Sequence, residues 1–203
     1  ECGLPLAYVN QVGGQDELVF DGGSFIVNRD GSVVARAPFW EESIFVTRWT
    51  RQADGVACER GTHAPLPDRQ ESIYAAMVLG LRDYVGKNGF PGVVLGLSGG
   101  IDSALTAVVA VDALGADRVR GVRLPSRFTS ASSMDDAAAT ASLLGMRLDT
   151  VSIQEPVAAA EQVLAPIFAG RERDVTEENL QARARGLLLM ALSNKFGDLL
   201  VTT

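Results

Sequence analysis

The chain has 203 residues, 47% hydrophobic and 21% charged, and a net charge of −7; this composition argues against a disordered chain, and the acidic balance argues against a nucleic-acid partner, which would usually show a basic surface. No apolar run approaches the roughly 20 residues that cross a bilayer, and no secretory signal opens the sequence. Cys2, Cys58 and the single histidine, His63, have no metal-site spacing, so the thiols are expected to be free, in a reducing, cytoplasmic compartment.

Residues 1–50 read as β structure. ELVFDGGSFIVNRDGSVVARA (17–37) holds three short apolar segments, and Asp21-Gly22-Gly23 and Asn28-Arg29-Asp30-Gly31 supply the positive-φ positions of tight turns. Residues 51–70, with scattered charges, Gly and two prolines, read as a linker. From residue 71 helices and strands alternate. IYAAMVLGLRDYVGK (73–87) has helical spacing, GVVLGLS (92–98) is a buried strand, and IDSALTAVVAVDALG (101–115) is a helix. Then follow strand VRGVRL (119–124), helix MDDAAATASLLG (134–145), strand RLDTVSI (147–153) and helix VAAAEQVLAPIFAG (157–170). A long helix, TEENLQARARGLLLMALSNKFG (176–197), leads to strand DLLVTT (198–203). Glycines 115, 145, 170 and 197 stand where left-handed C-caps are expected. Thr176, Glu177 and Glu178 suit a helix start. The alternation implies an α/β fold, a parallel sheet with helices on both faces.

The stretch LGLSGGIDSAL (95–105) joins the first strand of this sheet to its helix. Ligands of such sheets bind beyond the carboxyl ends of the strands. Gly99 and Gly100 lack a Cβ, so the backbone can turn its N–H groups toward a ligand. Those groups sit at a helix N-terminus, which favours anions, and Ser98 and Ser103 add hydroxyls. Asp102 would repel phosphates unless a Mg²⁺ lies between, since Mg²⁺ takes carboxylate and phosphate oxygens together. The competing use of the same residues is an ordinary helix cap by Ser98 or Asp102. Two other phosphate motifs do not fit the spelling: GxxxxGK[ST] needs a lysine, and GxGxxG does not allow adjacent glycines.

The SGGIDS loop resembles the pyrophosphate-binding loop of the ATP pyrophosphatase (PP-loop) superfamily, with its adenine nucleotide α-hydrolase-like fold. The resemblance implies transfer of AMP to a carboxylate or carbonyl oxygen with release of pyrophosphate. It assigns ATP to Gly96, Leu97, Ser98, Gly99, Gly100, Ile101, Asp102 and Ser103, with Asp102 as the catalytic and Mg²⁺-binding residue. TEENLQARARG (176–186) and LLVTT (199–203) resemble segments of NAD⁺ synthetases, which implies deamido-NAD contacts at Asn179 and Arg183 and an ATP contact at Thr203. Arginine suits a substrate carrying a carboxylate and a pyrophosphate, although the charges at Glu178, Arg183 and Arg185 equally suit a solvated helix face. LPSRFTSASSMDDA (124–137) is similar to a family segment near the adenosine, with Arg127 as the candidate; a plain loop with Ser132 or Ser133 capping the next helix fits as well.

LPLAYVNQVGGQDELVFDGGS (4–24) resembles the end of the nitrilase-like amidase domain of glutamine-dependent NAD⁺ synthetases. The implied organisation is a nitrilase-like tail over 1–50, a linker over 51–70 and the first part of a synthetase domain over 71–203. The chain, which opens without Met, is then expected to be an internal fragment, inactive by itself. The family's Glu–Lys–Cys triad would precede residue 1, and ECGLPL around Cys2 does not match its catalytic cysteine. The family's TGNKSE continuation, with its Mg²⁺-binding glutamate, follows Thr203 and is not carried over. The implied reaction is ATP-dependent amidation of deamido-NAD to NAD⁺ through an adenylated intermediate, with ammonia from glutamine. The implied partners are small molecules, with a homo-oligomer and no nucleic acid or membrane. Another adenylating amidotransferase, of GMP or asparagine synthetase type, stays open, as does a nucleotide-binding module without turnover.

Overall fold

A computed structural model describes residues 3–53 and 55–203; Cys2 lies outside them. The structure divides into two compact units, one reaching to Tyr84 and the other spanning Val85–Thr203.

The first unit is antiparallel. Strand β1 (Leu6–Tyr8) pairs with β4 (Phe25–Val27), which pairs with β5 (Val33–Arg36). Two further pairs are the hairpins β2–β3 (Val12–Gln15, Leu18–Asp21) and β6–β7 (Trp49–Gln52, Gly55–Cys58). The expected turns are present: Gly22, Gly23 and Gly31 have φ of 74°, 60° and 83°. Gly23 has a second reason to be glycine, because a Cβ there would lie 2.2 Å from the Phe39 ring. A small core gathers Ile26, Ala35 and Cys58, with Val34 and Phe45 against it. The stretch expected as a linker contains β7 and part of β6. The Asn28 amide ties β7 down by donating to the Cys58 carbonyl at 3.0 Å and accepting the Cys58 N–H at 3.0 Å, a side chain acting as a strand neighbour. Cys58 is a free, buried thiol, and burial, reinforced by the charge of Glu59, raises its pKa. Helix α1 (Arg69–Lys87) begins four residues before the expected start, because Asp68 Oδ1 accepts the N–H groups of Gln70 and Glu71, each at 2.8 Å.

The second unit has the expected parallel sheet. Its strands are β8 (Val93–Gly96), β9 (Val119–Arg123), β10 (Arg147–Thr150) and β11 (Leu199–Val201), in the order β10-β9-β8-β11. The helices are α2 (Ile101–Leu114), α3 (Ala131–Leu144), α4 (Gln154–Leu164) and α5 (Val175–Phe196). Strand side chains alternate between the two faces. Val94, Val122 and Leu200 meet Leu189 and Leu192 of α5 on one face. Val93, Leu95 and Val119, also buried, point to the other, where α2 and α3 cross β8, β9 and β10. The chain leaves β8 for β9 on one side, while β11 joins on the other, so the strand order reverses at β8. A sheet of this kind opens a crevice at such a reversal, beyond the carboxyl ends of its strands.

Several further boundaries differ from expectation. Helix α3 starts at Ala131, and its cap is Ser130, whose Oγ accepts the Ser133 N–H at 3.1 Å; neither Ser132 nor Ser133 is the cap. Helix α4 stops at Leu164, because Pro166 has no N–H to continue the ladder. Gly170, at φ 79°, therefore belongs to a later turn and does not cap that helix. Gly145 and Gly197 do occupy left-handed C-caps, with φ of 67° and 79°. Helix α5 begins with a capping box in which Asp174 accepts the Thr176 N–H at 2.8 Å and Glu177 accepts the Asp174 N–H at 2.8 Å.

Candidate functional site: the cleft beyond β8

The loop after β8 is held from inside by one hydroxyl. Ser103, 5% exposed, accepts the Ser98 N–H at 3.2 Å, donates to the Gly100 carbonyl at 3.0 Å and lies 3.0 Å from Ser98 Oγ. Its single hydrogen is committed to Gly100, so it shapes the loop. Ser98 Oγ accepts the Gly100 N–H at 3.2 Å and remains exposed. Ser103→Ala would leave the Ser98 N–H and Gly100 carbonyl without this partner, and is expected to cost about 1–3 kcal/mol of stability, read by urea unfolding.

The ordinary-cap use of Ser98 and Asp102 does not occur. Gly100 is the N-cap of α2 and no side chain caps the helix. The first turn of α2, at the carboxyl end of the sheet, therefore offers N–H groups and a positive dipole end to an anion. The exposed side chain of Asp102 stands in that turn. Among the described residues no group of three or more His, Cys, Asp or Glu could hold a metal ion. A single carboxylate at an uncapped helix start nevertheless fits Mg²⁺ brought with a phosphate ligand, since Mg²⁺ is commonly held by one or two carboxylates with phosphates and waters completing its shell.

The two loop glycines differ. Gly100 has an ordinary extended backbone (φ −86°, ψ 159°), and a Cβ there would meet only Ser98 Oγ, at 3.4 Å. Gly99 has φ 84°, and a Cβ there would lie 2.3 Å from the Ser133 carbonyl oxygen. Glycine at 99 is thus explained by a neighbouring helix as well as by the turn.

Beyond these residues opens a cleft of about 320 Å³, lined by Gly96, Leu97, Ser98 and Ser103 and by Thr203 after β11. The structure so brings five of the sequence-derived positions together. Leu124, Thr129 and Met134, from the 124–137 stretch that the sequence reading placed near the adenosine, also line the cleft, whereas Val122 and Leu189, which complete the apolar part, were not singled out. Arg185, read only as a possible solvent-facing charge, also lines the cleft, with its Nε donating to the Leu124 carbonyl at 3.4 Å. A signal was available in the spacing of Gln181, Arg185 and Leu189, one residue per turn on one stripe of α5.

Other candidates lie elsewhere. Arg127 is exposed, with its guanidinium 4.7 Å from the Phe128 ring centroid, and lines a separate cavity of about 220 Å³ with Ile153, Val157 and Gln181. Asn179 and Arg183 are exposed. Two residues along a helix rotate a side chain by ~200°, so Arg183 points away from the cleft that Arg185 faces. Leu187 and Met190, 66% and 45% exposed, share that outer face. Among the described residues, no helix is long and apolar enough to cross a membrane.

The sequence model of the carbon-nitrogen hydrolase family matches residues 1–53. A glutamine-dependent NAD(+) synthetase of Rhodobacter capsulatus is 57% identical over the whole chain, which spans 37% of that relative's length. The structure of glutamine-dependent NAD+ synthetase from Acinetobacter baumannii in complex with ADP is similar with a TM-score of 0.92 at 47% identity, over 98% of this chain and 37% of that one. The NH3-dependent NAD synthetase from Campylobacter jejuni, in complex with nitrate, is similar over 66% of this chain and 56% of its own, with a TM-score of 0.58 and 29% identity. The model of the NAD synthase family matches residues 73–203, which contain the loop and every residue that lines the cleft, and this chain belongs to that family.

Proposed function

We propose that the chain carries the ATP cleft of a synthetase that amidates deamido-NAD to NAD⁺, with ammonia released from glutamine. The observation that carries this reading is the convergence of Gly96, Leu97, Ser98, Ser103 and Thr203 on one cleft at the strand-order reversal, in a chain 57% identical to a glutamine-dependent NAD(+) synthetase. The match of residues 1–53 to carbon-nitrogen hydrolases supports glutamine as the nitrogen source.

The β- and γ-phosphates of ATP rest on the uncapped N–H groups at the start of α2, just after Gly100. Asp102 would hold Mg²⁺, which when bound neutralises phosphate charge. A nicotinate carboxylate oxygen of deamido-NAD attacks the α-phosphorus. The bond to the α,β-bridging oxygen breaks, and pyrophosphate takes the electron pair. Ammonia then attacks the acyl carbon, AMP leaves, and loss of a proton gives the amide. No side chain forms a covalent bond; oriented donors stabilise the departing diphosphate.

Asn179 and Arg183 remain proposed deamido-NAD contacts. Because they face away from the cleft, they need a second surface over the outer face of α5 to help enclose the substrate. A second copy of the chain docked on exposed Leu187 and Met190 would supply it, and a homo-oligomer is part of the proposal. Arg127 is retained as an ATP contact reached by movement of its exposed loop. The free thiol of Cys58 suits the cytoplasm.

The test is pyrophosphate release by the full-length protein, comparing deamido-NAD with xanthylate and aspartate as acceptors and glutamine with ammonium as nitrogen donors. Deamido-NAD alone is expected to support turnover, with either donor. Turnover on xanthylate or aspartate in its place overturns the assignment in favour of another adenylating amidotransferase.

A further inference from the structure

The geometry points to Gly99 as a positioning residue that sets the gap between the phosphate loop and the facing wall of the cleft, so that the base and the phosphates of one nucleotide are held at once; this rests on the ATP reading above. The cleft's lining is of two kinds: Ser98, Ser103 and Thr203 are polar, while Leu124, Met134 and Leu189 are apolar and suited to a purine. The wall is the first turn of α3 with the segment leading into it, which contributes Thr129 and Met134.

That wall is internally tied. Ser126 N–H donates to Thr129 Oγ1 at 2.9 Å, Thr129 N–H returns to the Ser126 carbonyl at 3.1 Å, and Ser130 caps α3 through the Ser133 N–H. It meets the loop where Gly99 lies against the Ser133 main chain, with a would-be Cβ 2.3 Å from the carbonyl oxygen and 3.0 Å from both Ser133 C and Cα. The obstacle is backbone, so no side-chain rotation relieves it. A methyl at 99 must push loop and wall apart. Gly100 has no such contact with α3, which separates the two glycines of the motif.

A spacer reveals itself in a ligand that touches both loop and wall and not in either half of that ligand, because each half settles against one of them whatever the gap. The experiment is calorimetric titration of the full-length protein with ATP, inorganic pyrophosphate and adenosine, each with Mg²⁺. In Gly99→Ala, ATP binding is expected to weaken about tenfold or more, while pyrophosphate and adenosine each change by less than about threefold. Gly99→Asn is expected to behave alike. Asparagine tolerates a positive φ but still carries a Cβ, so a normal Gly99→Asn would mean that only the turn mattered and would overturn the proposal. Equal loss of pyrophosphate and ATP binding would also overturn it, by placing the effect at the phosphates, and unchanged ATP binding would overturn it outright. Should Gly99→Ala not fold, Ser130→Ala loosens the same wall from the other side and is expected to give the same pattern; an unchanged ATP affinity there overturns the proposal. If the unaltered protein binds no ATP, the nucleotide reading itself fails, and this inference with it.

Discussion

Asp102→Ala is expected to lower pyrophosphate release by the full-length protein about 10²–10³-fold while the fold stays intact. Asp102 is exposed in the first turn of α2, and the contact that its backbone makes, accepting Thr106 Oγ1 at 2.9 Å, survives the substitution. Alanine is the best helix former, and the favourable effect of an acid near a helix N-terminus is only about 0.3–1 kcal/mol. Stability should therefore change little, whereas phosphates on the loop would lose the carboxylate proposed to share a cation with them. Asp102→Asn keeps the shape and removes the charge, and is expected to fall nearly as far. Normal turnover in either variant, with a thermal melt matching the unaltered protein, would remove Asp102 from the mechanism.

The largest expected loss of stability comes at the opposite end of the sheet. The Arg120 guanidinium, 15% exposed in its side chain, lies 2.8 Å from Asp149 and 3.7 Å from Asp198, itself 14% exposed. It also stacks 4.1 Å from the Phe196 ring centroid. Its Nε is buried without a hydrogen-bond partner, so the group is held by charge and stacking as much as by hydrogen bonds. Arg120→Ala leaves two poorly solvated carboxylates near each other, with only the more exposed Arg147 still bonded to Asp149 at 3.0 Å. A cost of about 3 kcal/mol is expected, lowering Tm by about 6–12 °C. The pH dependence has a definite sign. Burial raises the Asp149 carboxyl, but hydrogen bonds and charges from Arg147 and Arg120 outweigh burial and hold it below its ordinary value of 3.8. A carboxyl lowered by folding contributes stability above its unfolded pKa and loses it as pH falls through the folded one. Denaturant titrations at successive pH values should therefore show the unaltered protein weakening below about pH 4, and Arg120→Ala weakening less over the same interval. Equal slopes would mean that Arg120 does not set the Asp149 pKa.

The alternation of helix and strand, and hence the parallel sheet, was legible from periodicity, because each element must turn an apolar face or stripe inward whatever its neighbours are. The turn at Gly22-Gly23 and the helix ends at Gly145 and Gly197 were legible for a related reason: a positive φ excludes most side chains locally. Less clear was which of several serines starts α3. Ser130, Ser132 and Ser133 all have the chemistry of a cap, and the choice depended on where the preceding segment folds back on itself. The hairpin strand β7 was missed because GVAC is short and unpatterned, and the Asn28 amide that holds it lies thirty residues away.

The loop 98–103 and its proposed use as an anion site followed from residue type and order alone, since glycine freedom, serine hydroxyls and a helix start are properties of neighbours in sequence. The tertiary structure decided what no local pattern contains. It drew Thr203 and Arg185 to that loop, because β11 pairs with β8 and α5 crosses the same face. It turned Asn179 and Arg183 outward, because a helix presents only one stripe to a cleft. It gave the two adjacent glycines separate reasons to exist, because the main chain of Ser133 arrives against one of them and not the other.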